Sequence, residues 1–143
     1  MPNWLKGTLK LRGKKDDLIR ALESIGMTKN VDEDWVDFTA RVDTRLPTGH
    51  RAYVEEGTCV YLNEWNVQTV AIDNVNFAWG IVPVTAEQLK NFAEKNKLEM
   101  KFYGYESGSE FEQEFWTEGH HVVLKDIKYD DWAWESRHPN YGG

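Results

Sequence analysis

Hydrophobic and polar residues alternate most clearly between Leu98 and Lys128. In the first stretch, Leu98–Glu106, apolar residues occupy the even positions and charged or aromatic residues occupy the odd positions, which is the period of a β-strand. Small residues at 107–109 and a Glu-Gly pair at 118–119 separate two more stretches with this period, Glu110–Thr117 and His120–Lys128. The pattern predicts three antiparallel strands joined by tight turns, with an apolar face and a polar face.

A strand followed by a helix is predicted at the start of the chain. Leucines alternate with basic or polar residues over Trp4–Arg12, which predicts a strand with an apolar face and a basic face. Apolar residues then recur at helical spacing over Lys14–Ser24, with aspartates in the first turn and Gly26 as the terminating residue. A second helix is predicted to begin at Thr85, where a glutamine three residues later fits a capping box, and to end near Asn96.

The middle of the chain predicts short strands. Met27–Asp34 is polar and is interpreted as a loop, and the strand alternation returns over Trp35–Val42. A proline and a glycine within Thr44–His50 predict a turn. The remaining strands are expected to form two pairs, a hairpin of Arg51–Val54 with Thr58–Leu62 and an extended pair, bent near Asn74, of Trp65–Asp73 with Val75–Ile81.

This order of strands and helices is typical of an α+β protein. We expect a ferredoxin-like fold, in which two helices cover one face of an antiparallel sheet, with an extra insertion of strands between the two halves. Residues 1–136 are expected to form one domain, since 143 residues is a common domain size. Residues 137–143 are expected to be a mobile tail, and Trp132 and Trp134 before it are expected to cover an edge of the sheet.

Composition and charge narrow the class of protein. Seven tryptophans and an aromatic content of 13% argue against disorder. The net charge of −7 argues against a general polyanion-binding surface, although it allows a local basic strip and suits a basic partner. Cys59 is the one cysteine, so no intrachain disulfide forms. Because there is no signal-peptide pattern and no long apolar run, the protein is expected to be soluble and cytoplasmic, with no membrane partner.

Four motifs spread over most of the chain carry a family resemblance. They are the opening Met1-Pro2-Asn3-Trp4, Gly13 after the first strand, Phe77-Ala78-Trp79 followed by Pro83, and Tyr105-Glu106-x-Gly108-x-x-Phe111 after the second helix. The chain thereby resembles the YubB-type ferredoxin-like domain family, mostly uncharacterised proteins of bacteria, their plasmids and their phages. Family members often have a Ser and a second Pro after that Trp and a Gly soon after that Phe, where this chain has Gly80, Ile81 and Gln113. The resemblance implies the fold and a mobile-element origin, and it implies no established activity.

Sequence motifs for catalysis, metal binding and nucleotide cofactors are absent. His120 and His121 are neighbours on a predicted strand, so their side chains point to opposite faces and do not jointly bind one metal. The sequence has no HExxH pair, no Walker loop and no G-x-G-x-x-G. We therefore expect no enzymatic activity, no metal and no cofactor.

The predicted polar face of the sheet holds the candidate binding residues. They are Lys6, Lys10, Arg12, Lys101, Tyr103, Tyr105, Glu110, Glu112, Glu114 and Trp116. Basic and aromatic side chains on an open sheet face are typical of surfaces that bind single-stranded nucleic acid. In the alternative interpretation, the basic residues of the first strand and Lys101 neutralise the three glutamates across the sheet.

The expected function is that of a small non-enzymatic binding protein. Its open sheet face or its acidic rim is expected to engage a host protein, for example a defence nuclease of a CRISPR or restriction system whose basic channel it would occupy. The alternative is single-stranded nucleic-acid binding by the sheet face. Large aromatic residues would mark a partner interface if they are exposed, and the candidates are Trp35, Trp65, Trp116, Trp132 and Trp134.

Overall fold

The computed structural model of the chain describes residues 3–32, 35–48, 52–106, 108 and 110–135. Within these residues the strands are β1 (Trp4–Lys14), β2 (Thr28–Val31), β3 (Val36–Thr39), β4 (Ala52–Val54), β5 (Cys59–Leu62), β6 (Val67–Ala78), β7 (Glu99–Glu106), β8 (Phe111–Glu118) and β9 (His121–Lys128). The helices there are α1 (Lys15–Ser24), α2 (Pro83–Lys95) and the short α3 (Trp132–Glu135). The protein is therefore α+β, as its sequence predicts.

Six strands form a large antiparallel sheet in the order β4-β6-β1-β7-β8-β9. The strands predicted over Leu98–Lys128 are confirmed as β7, β8 and β9. β1 lies inside the sheet, since Leu9 is opposite Ile72 of β6 on one side and Phe102 of β7 on the other. Phe102 is in turn opposite Phe115 of β8, so these apolar residues share one face of the sheet.

The two longer helices cover this apolar face. α1 buries Leu18, Ala21 and Leu22, and these side chains join the leucines of β1 in one hydrophobic core. The apolar residues of α2 belong to the same core. Nε of Arg20 on α1 donates to Oδ1 of Asn96, at the end of α2, over 3.3 Å, so the helices lie side by side. The two helices do not cover the opposite face of the sheet.

Three short strands, in the order β2-β3-β5, form a second sheet. The loop prediction for Met27–Asp34 is wrong over Thr28–Val31, which forms β2. All four residues of β2 are exposed, so this edge strand lacks the alternation by which a half-buried strand is predicted. The strand predicted over Trp35–Val42 is present as the shorter β3, and Phe38 anchors it in the core.

The hairpin predicted from Arg51–Val54 and Thr58–Leu62 is wrong, because its strands belong to different sheets. β4 pairs with β6, whereas β5 pairs with β3. The turn between them is tight, since Gly57 has a φ of 87°, but the N–H of Gly57 donates to the carbonyl of Ala40. Turn residues therefore predict where the chain bends, whereas the partners of these strands depend on contacts distant in sequence.

β6 is one continuous strand, so the predicted pair of strands bent near Asn74 is wrong. A β-bulge replaces the bend, because the register with β1 shifts between Gly7 and Leu9, opposite Asp73 and Asn74. Asn74 has a φ of 57°, in a left-handed region that asparagine adopts more readily than most residues. The bulge places Asp73 beside Thr8 of β1.

Some element ends differ from those predicted. α2 begins at Pro83, and its N-cap Val82 makes no side-chain hydrogen bond, so the capping box at Thr85 is wrong. Thr85 is instead fully buried. Glu110, with a φ of 55°, and His120 lie in turns immediately before β8 and β9.

The C-terminal predictions are tested only in part. The tail at 137–143, the side chain of Trp132 and the end of the predicted turn at 49–50 lie outside the described residues. Trp134 is 85% exposed, so the expectation that it covers a sheet edge is wrong. Within the described part of the chain, no helix is long and apolar enough to cross a membrane.

Candidate binding face of the large sheet

The outer face of the large sheet is the face opposite α1 and α2. Because partners in register share a face, three rows of side chains cross β1, β7 and β8 on it. These rows are Lys10, Lys101 and Trp116; Thr8, Tyr103 and Glu114; and Lys6, Tyr105 and Glu112. Arg12 follows on the same face, opposite Glu99. The fold therefore brings together all of the predicted site residues except Glu110, which precedes β8.

Lys10 and Lys101 are direct cross-strand neighbours, and both are exposed. Neither forms a direct ion pair with a carboxylate of the described residues, although the charge of Lys101 is one of the causes that lower the pKa of Glu99. Like charges directly opposite on a sheet destabilise it, on the scale of about 0.2–1 kcal/mol for such pairs. An anion placed between the two ammonium groups would remove this repulsion. The pair is therefore a suitable site for a phosphate group.

An aromatic border, formed by Tyr103 and Trp116, lies next to the two lysines. The lysine groove has a volume of about 540 Å³ and is lined by Thr8, Lys10, Lys101, Phe102, Tyr103, Glu114, Phe115 and Trp116. The ammonium group of Lys125 on β9 lies 5.7 Å from the ring centroid of Trp116, which adds a third cation to this part of the face. The lysine groove thus combines positive charge with aromatic surface.

A second groove continues from the first one along β1 and β7. The bulge groove has a volume of about 350 Å³ and is lined by Lys6, Gly7, Thr8, Asp73, Asn74, Tyr103 and Tyr105. It shares Thr8 and Tyr103 with the lysine groove, so the two grooves are continuous. The hydroxyl of Thr8 donates to Oδ1 of Asp73 over 2.8 Å and orients that carboxylate. The outer face therefore has a cationic part and a part that contains a carboxylate.

Lys6 and Arg12 are held by carboxylates outside the predicted set of site residues. Nζ of Lys6 lies 3.0 Å from Oε1 of Glu55, and Nε of Arg12 donates to Oε2 of Glu99. The hydrogen bond from Arg12 is the main cause that lowers the pKa of Glu99, and it raises the pKa of Arg12 in return. These two basic residues are therefore neutralised within the fold, but by Glu55 and Glu99.

The three glutamates predicted to line the face have different environments. Glu112 is fully buried, and the hydroxyl of Tyr129, just after β9, donates to its Oε2 over 2.8 Å. Glu114 is half-buried and lies opposite Lys125. Glu110 is exposed in the turn before β8. The three carboxylates thus form no continuous acidic row. They therefore give little support to the prediction that an acidic rim binds a host protein.

Asp73 and Asn74 belong to the face although sequence patterns do not select them. Their place depends on the bulge opposite Thr8, and the register of β1 with β6 is not visible in the sequence. The available signal is Asn74 itself, a polar residue that interrupts two apolar alternations. Such an interruption is compatible with a bulge as well as with a bend.

A further exposed surface lies on the small sheet. Trp35, Tyr61 and Trp65 are 49%, 67% and 66% exposed. Together with Trp134, three of the five tryptophans proposed as interface markers are therefore exposed. The small-sheet cavity, of about 930 Å³, is lined by Lys15, Asp32, Trp35, Val36, Tyr61, Leu62, Asn63 and Glu64. It is larger than either groove, but its one lysine is accompanied by two acidic residues, Asp32 and Glu64, so it has no pair of cations for a phosphate. We therefore place the candidate ligand site on the outer face and regard the small-sheet cavity as a candidate protein contact.

Within the described residues, no group of three or more histidine, cysteine or acidic side chains is placed to hold a metal ion. Comparisons of the chain with protein-family models, curated proteins and solved structures find no match. The functional argument therefore rests on the geometry and chemistry of this chain.

Proposed function

We propose that the protein is a non-enzymatic binding protein that holds single-stranded nucleic acid on the outer face of its large sheet. The observation that carries the proposal is the pair of Lys10 and Lys101, opposite each other and beside Trp116 in the lysine groove. A phosphate between the ammonium groups and a base against the aromatic border would use both features. Single strands suit such a face because their bases are free to stack on side chains.

We also propose that the large sheet is an elaborated ferredoxin-like sheet. The strand order β4-β6-β1-β7, with α1 after β1 and α2 after β6, supports this proposal. β2, β3 and β5 would then be insertions, and β8 and β9 would extend one edge. The resemblance to YubB-type domains and a mobile-element origin are compatible with this fold and are part of the proposal. By analogy, RNA-recognition modules stack bases on an open sheet face.

The number of lysines sets the expected salt dependence. Each phosphate neutralised on a single strand contributes about −0.7 to the slope of log K against log salt concentration. If Lys10 and Lys101 each neutralise one phosphate, the slope is about −1.4. Each base stacked on an aromatic side chain contributes about 1–3 kcal/mol. We therefore expect moderate affinity and a short site of a few nucleotides.

The test is fluorescence anisotropy of a labelled hexathymidylate between about 0.1 and 0.5 M NaCl. The double variant Lys10→Gln with Lys101→Gln is expected to bind about tenfold less tightly and to lose most of the salt dependence. Lys14→Gln is the matched control, because Lys14 is an exposed lysine on the same strand and the same face but outside both grooves. Equal affinity of the wild type and the double variant would contradict the proposal.

Binding to a host protein is a second candidate function, favoured by the exposure of Trp35, Tyr61 and Trp65. Tryptophan and tyrosine are enriched in the energetically important centres of protein interfaces. With a net charge of −7, the protein would suit a basic partner, such as a defence nuclease with a basic nucleic-acid channel. We further propose a cytoplasmic location, which the free thiol of Cys59 supports because reducing compartments preserve thiols.

The two functions are separable by a cross-linked pull-down from nuclease-treated bacterial lysate. A stoichiometric protein that is captured by the wild type and by the double variant of Lys10 and Lys101 would support the second function. Its loss from a variant with Trp35→Ser and Tyr61→Ser would locate the contact on the small sheet. If nuclease treatment leaves no captured protein, the second function is excluded for that proteome.

A further inference from the structure

We propose that the bulge groove holds a nucleobase and prefers guanine. This inference rests on the proposed function, because it concerns the base that adjoins a phosphate held by Lys10 and Lys101. The two grooves meet at Thr8 and Tyr103, so a nucleotide can place its phosphate in one groove and its base in the other. The volume of the bulge groove, about 350 Å³, is sufficient for one base.

The carboxylate of Asp73 determines which part of a nucleotide this groove accepts. Asp73 is exposed and lines the groove, and Thr8 donates to its Oδ1. A carboxylate repels a phosphate and accepts hydrogen bonds from N–H groups. The bulge groove is therefore unsuitable for the phosphate and suitable for the edge of a base that carries donors.

The position of Asp73 is set by the backbone around it. Asn74, in the left-handed conformation, donates through Nδ2 to Oγ1 of Thr58 over 3.3 Å, and its carbonyl accepts from the N–H of Glu55 over 3.1 Å. These bonds tie the bulge to the segment between β4 and β5. The acceptor at Asp73 is therefore held in place before a ligand arrives, which reduces the entropy that binding would cost.

Guanine is the base whose donors match a carboxylate best. Its N1–H and its N2 amino group are adjacent and point in the same direction, so they can donate in parallel to the two oxygens of Asp73. Cytosine and adenine offer one amino group next to an acceptor. Thymine and uracil offer one N–H between two carbonyl groups, which the carboxylate would repel. The chemistry thus ranks guanine first and thymine last.

The test compares two labelled hexanucleotides, hexathymidylate and the same strand with one internal guanine. The wild type is expected to bind the guanine-containing strand about fivefold more tightly or better, as one bidentate contact allows. Replacing guanine by hypoxanthine removes the N2 amino group and is expected to remove most of the preference. Asp73→Asn should abolish the preference, because the amide offers one acceptor and a competing donor. Hexathymidylate should bind to this variant at least as tightly as to the wild type, because a carboxylate that repels phosphate is removed.

Asp73→Asn preserves the shape of the side chain and its acceptor for Thr8, so the fold is expected to persist. Asp43→Asn, an equal change at an exposed aspartate outside both grooves, is the control and should keep the preference. Equal affinity of the wild type for the two strands would overturn this inference but leave the proposed function intact. A preference that survives in Asp73→Asn would also overturn it. If neither strand binds, both proposals fail.

Discussion

Reversal of one charge in the pair of Lys10 and Lys101 is expected to stabilise the protein and to weaken its binding of nucleic acid. The two lysines are opposite each other on β1 and β7 and form no ion pair within the described residues. Lys10→Glu would replace a repulsive pair by an attractive one. Lys101→Glu would do the same but would place its carboxylate two residues from Glu99 on the same face, so its gain should be smaller.

The expected change in the free energy of unfolding follows from the exposure of the two lysines. A cross-strand charge pair contributes about 0.2–1 kcal/mol, so we take about 0.5 kcal/mol for the repulsion removed and about 0.5 kcal/mol for the attraction gained. Lys10→Glu should then raise the free energy of unfolding by about 1 kcal/mol, which corresponds to roughly 3–4 °C in Tm for a chain of this length. The double reversal restores a like-charge pair and adds the repulsion between Glu99 and a carboxylate at residue 101, so it should unfold somewhat below the wild-type temperature.

Thermal unfolding followed by circular dichroism measures these differences for the wild type, both single variants and the double variant. The resulting cycle isolates the pair interaction from the separate effect of each residue. At about 0.5 M NaCl the gain should shrink, because exposed charges are screened. In parallel, each single variant should bind hexathymidylate about tenfold less tightly or worse, since a carboxylate replaces a group that faces phosphate.

The reasoning has two parts that fail separately. A decrease in the Tm of Lys10→Glu, or a coupling energy of zero in the cycle, would show that the two ammonium groups do not repel each other. A stabilised Lys10→Glu variant that binds hexathymidylate with unchanged affinity would refute the functional part. In that case the like-charge pair would have no connection with nucleic acid.

Three further changes test the packing that positions the face. A Cβ at residue 7 would overlap the carbonyl oxygen of Tyr103 on the neighbouring strand, so Gly7→Ala should cost about 1–3 kcal/mol or more of unfolding free energy in urea denaturation. Tyr129→Phe removes a donor from the buried carboxyl group of Glu112 and should cost about 1–3 kcal/mol in the same assay. Phe115→Ala empties a fully buried site beneath the face and should cost about 3–5 kcal/mol, with a lower urea midpoint. Unchanged midpoints would contradict the corresponding contacts.

The elements that sequence patterns predict are those whose pattern arises from local burial. β1, α1 and β7–β9 each place one apolar face or stripe against the core, so their periodicity is visible without knowledge of the fold. β2 is missed because its residues are all exposed and show no alternation. The pairing of β4 with β5 is predicted wrongly, because a turn motif shows where the chain bends but not which strands pair. Ala52 of β4 lies opposite Phe77 of β6, which is distant in sequence.

Prediction of the candidate site succeeds and fails for the same reason. Local alternation is visible in the sequence, whereas strand register is not. Alternation assigns Lys10 and Lys101 to polar faces of their strands, and this assignment is correct. Their direct opposition depends on the register of β1 with β7, which non-local core contacts such as Leu9 with Phe102 determine. The pairing of Arg12 with Glu99 has the same origin. Sequence patterns therefore identify the side chains of the outer face but not which lysines lie opposite each other without a direct ion pair.

The overall charge of −7 does not by itself determine the potential at the lysine groove. Five acidic residues belong to the two longer helices, which lie on the other side of the sheet, namely Asp16, Asp17, Glu23, Glu87 and Glu94. Exposed charges that are further apart through solvent than the Debye length, about 8 Å at physiological ionic strength, are largely screened. The nearby charges on the outer face therefore carry more weight, and there the ammonium groups of Lys10, Lys101 and Lys125 outnumber the half-buried carboxylate of Glu114, which lines the same groove.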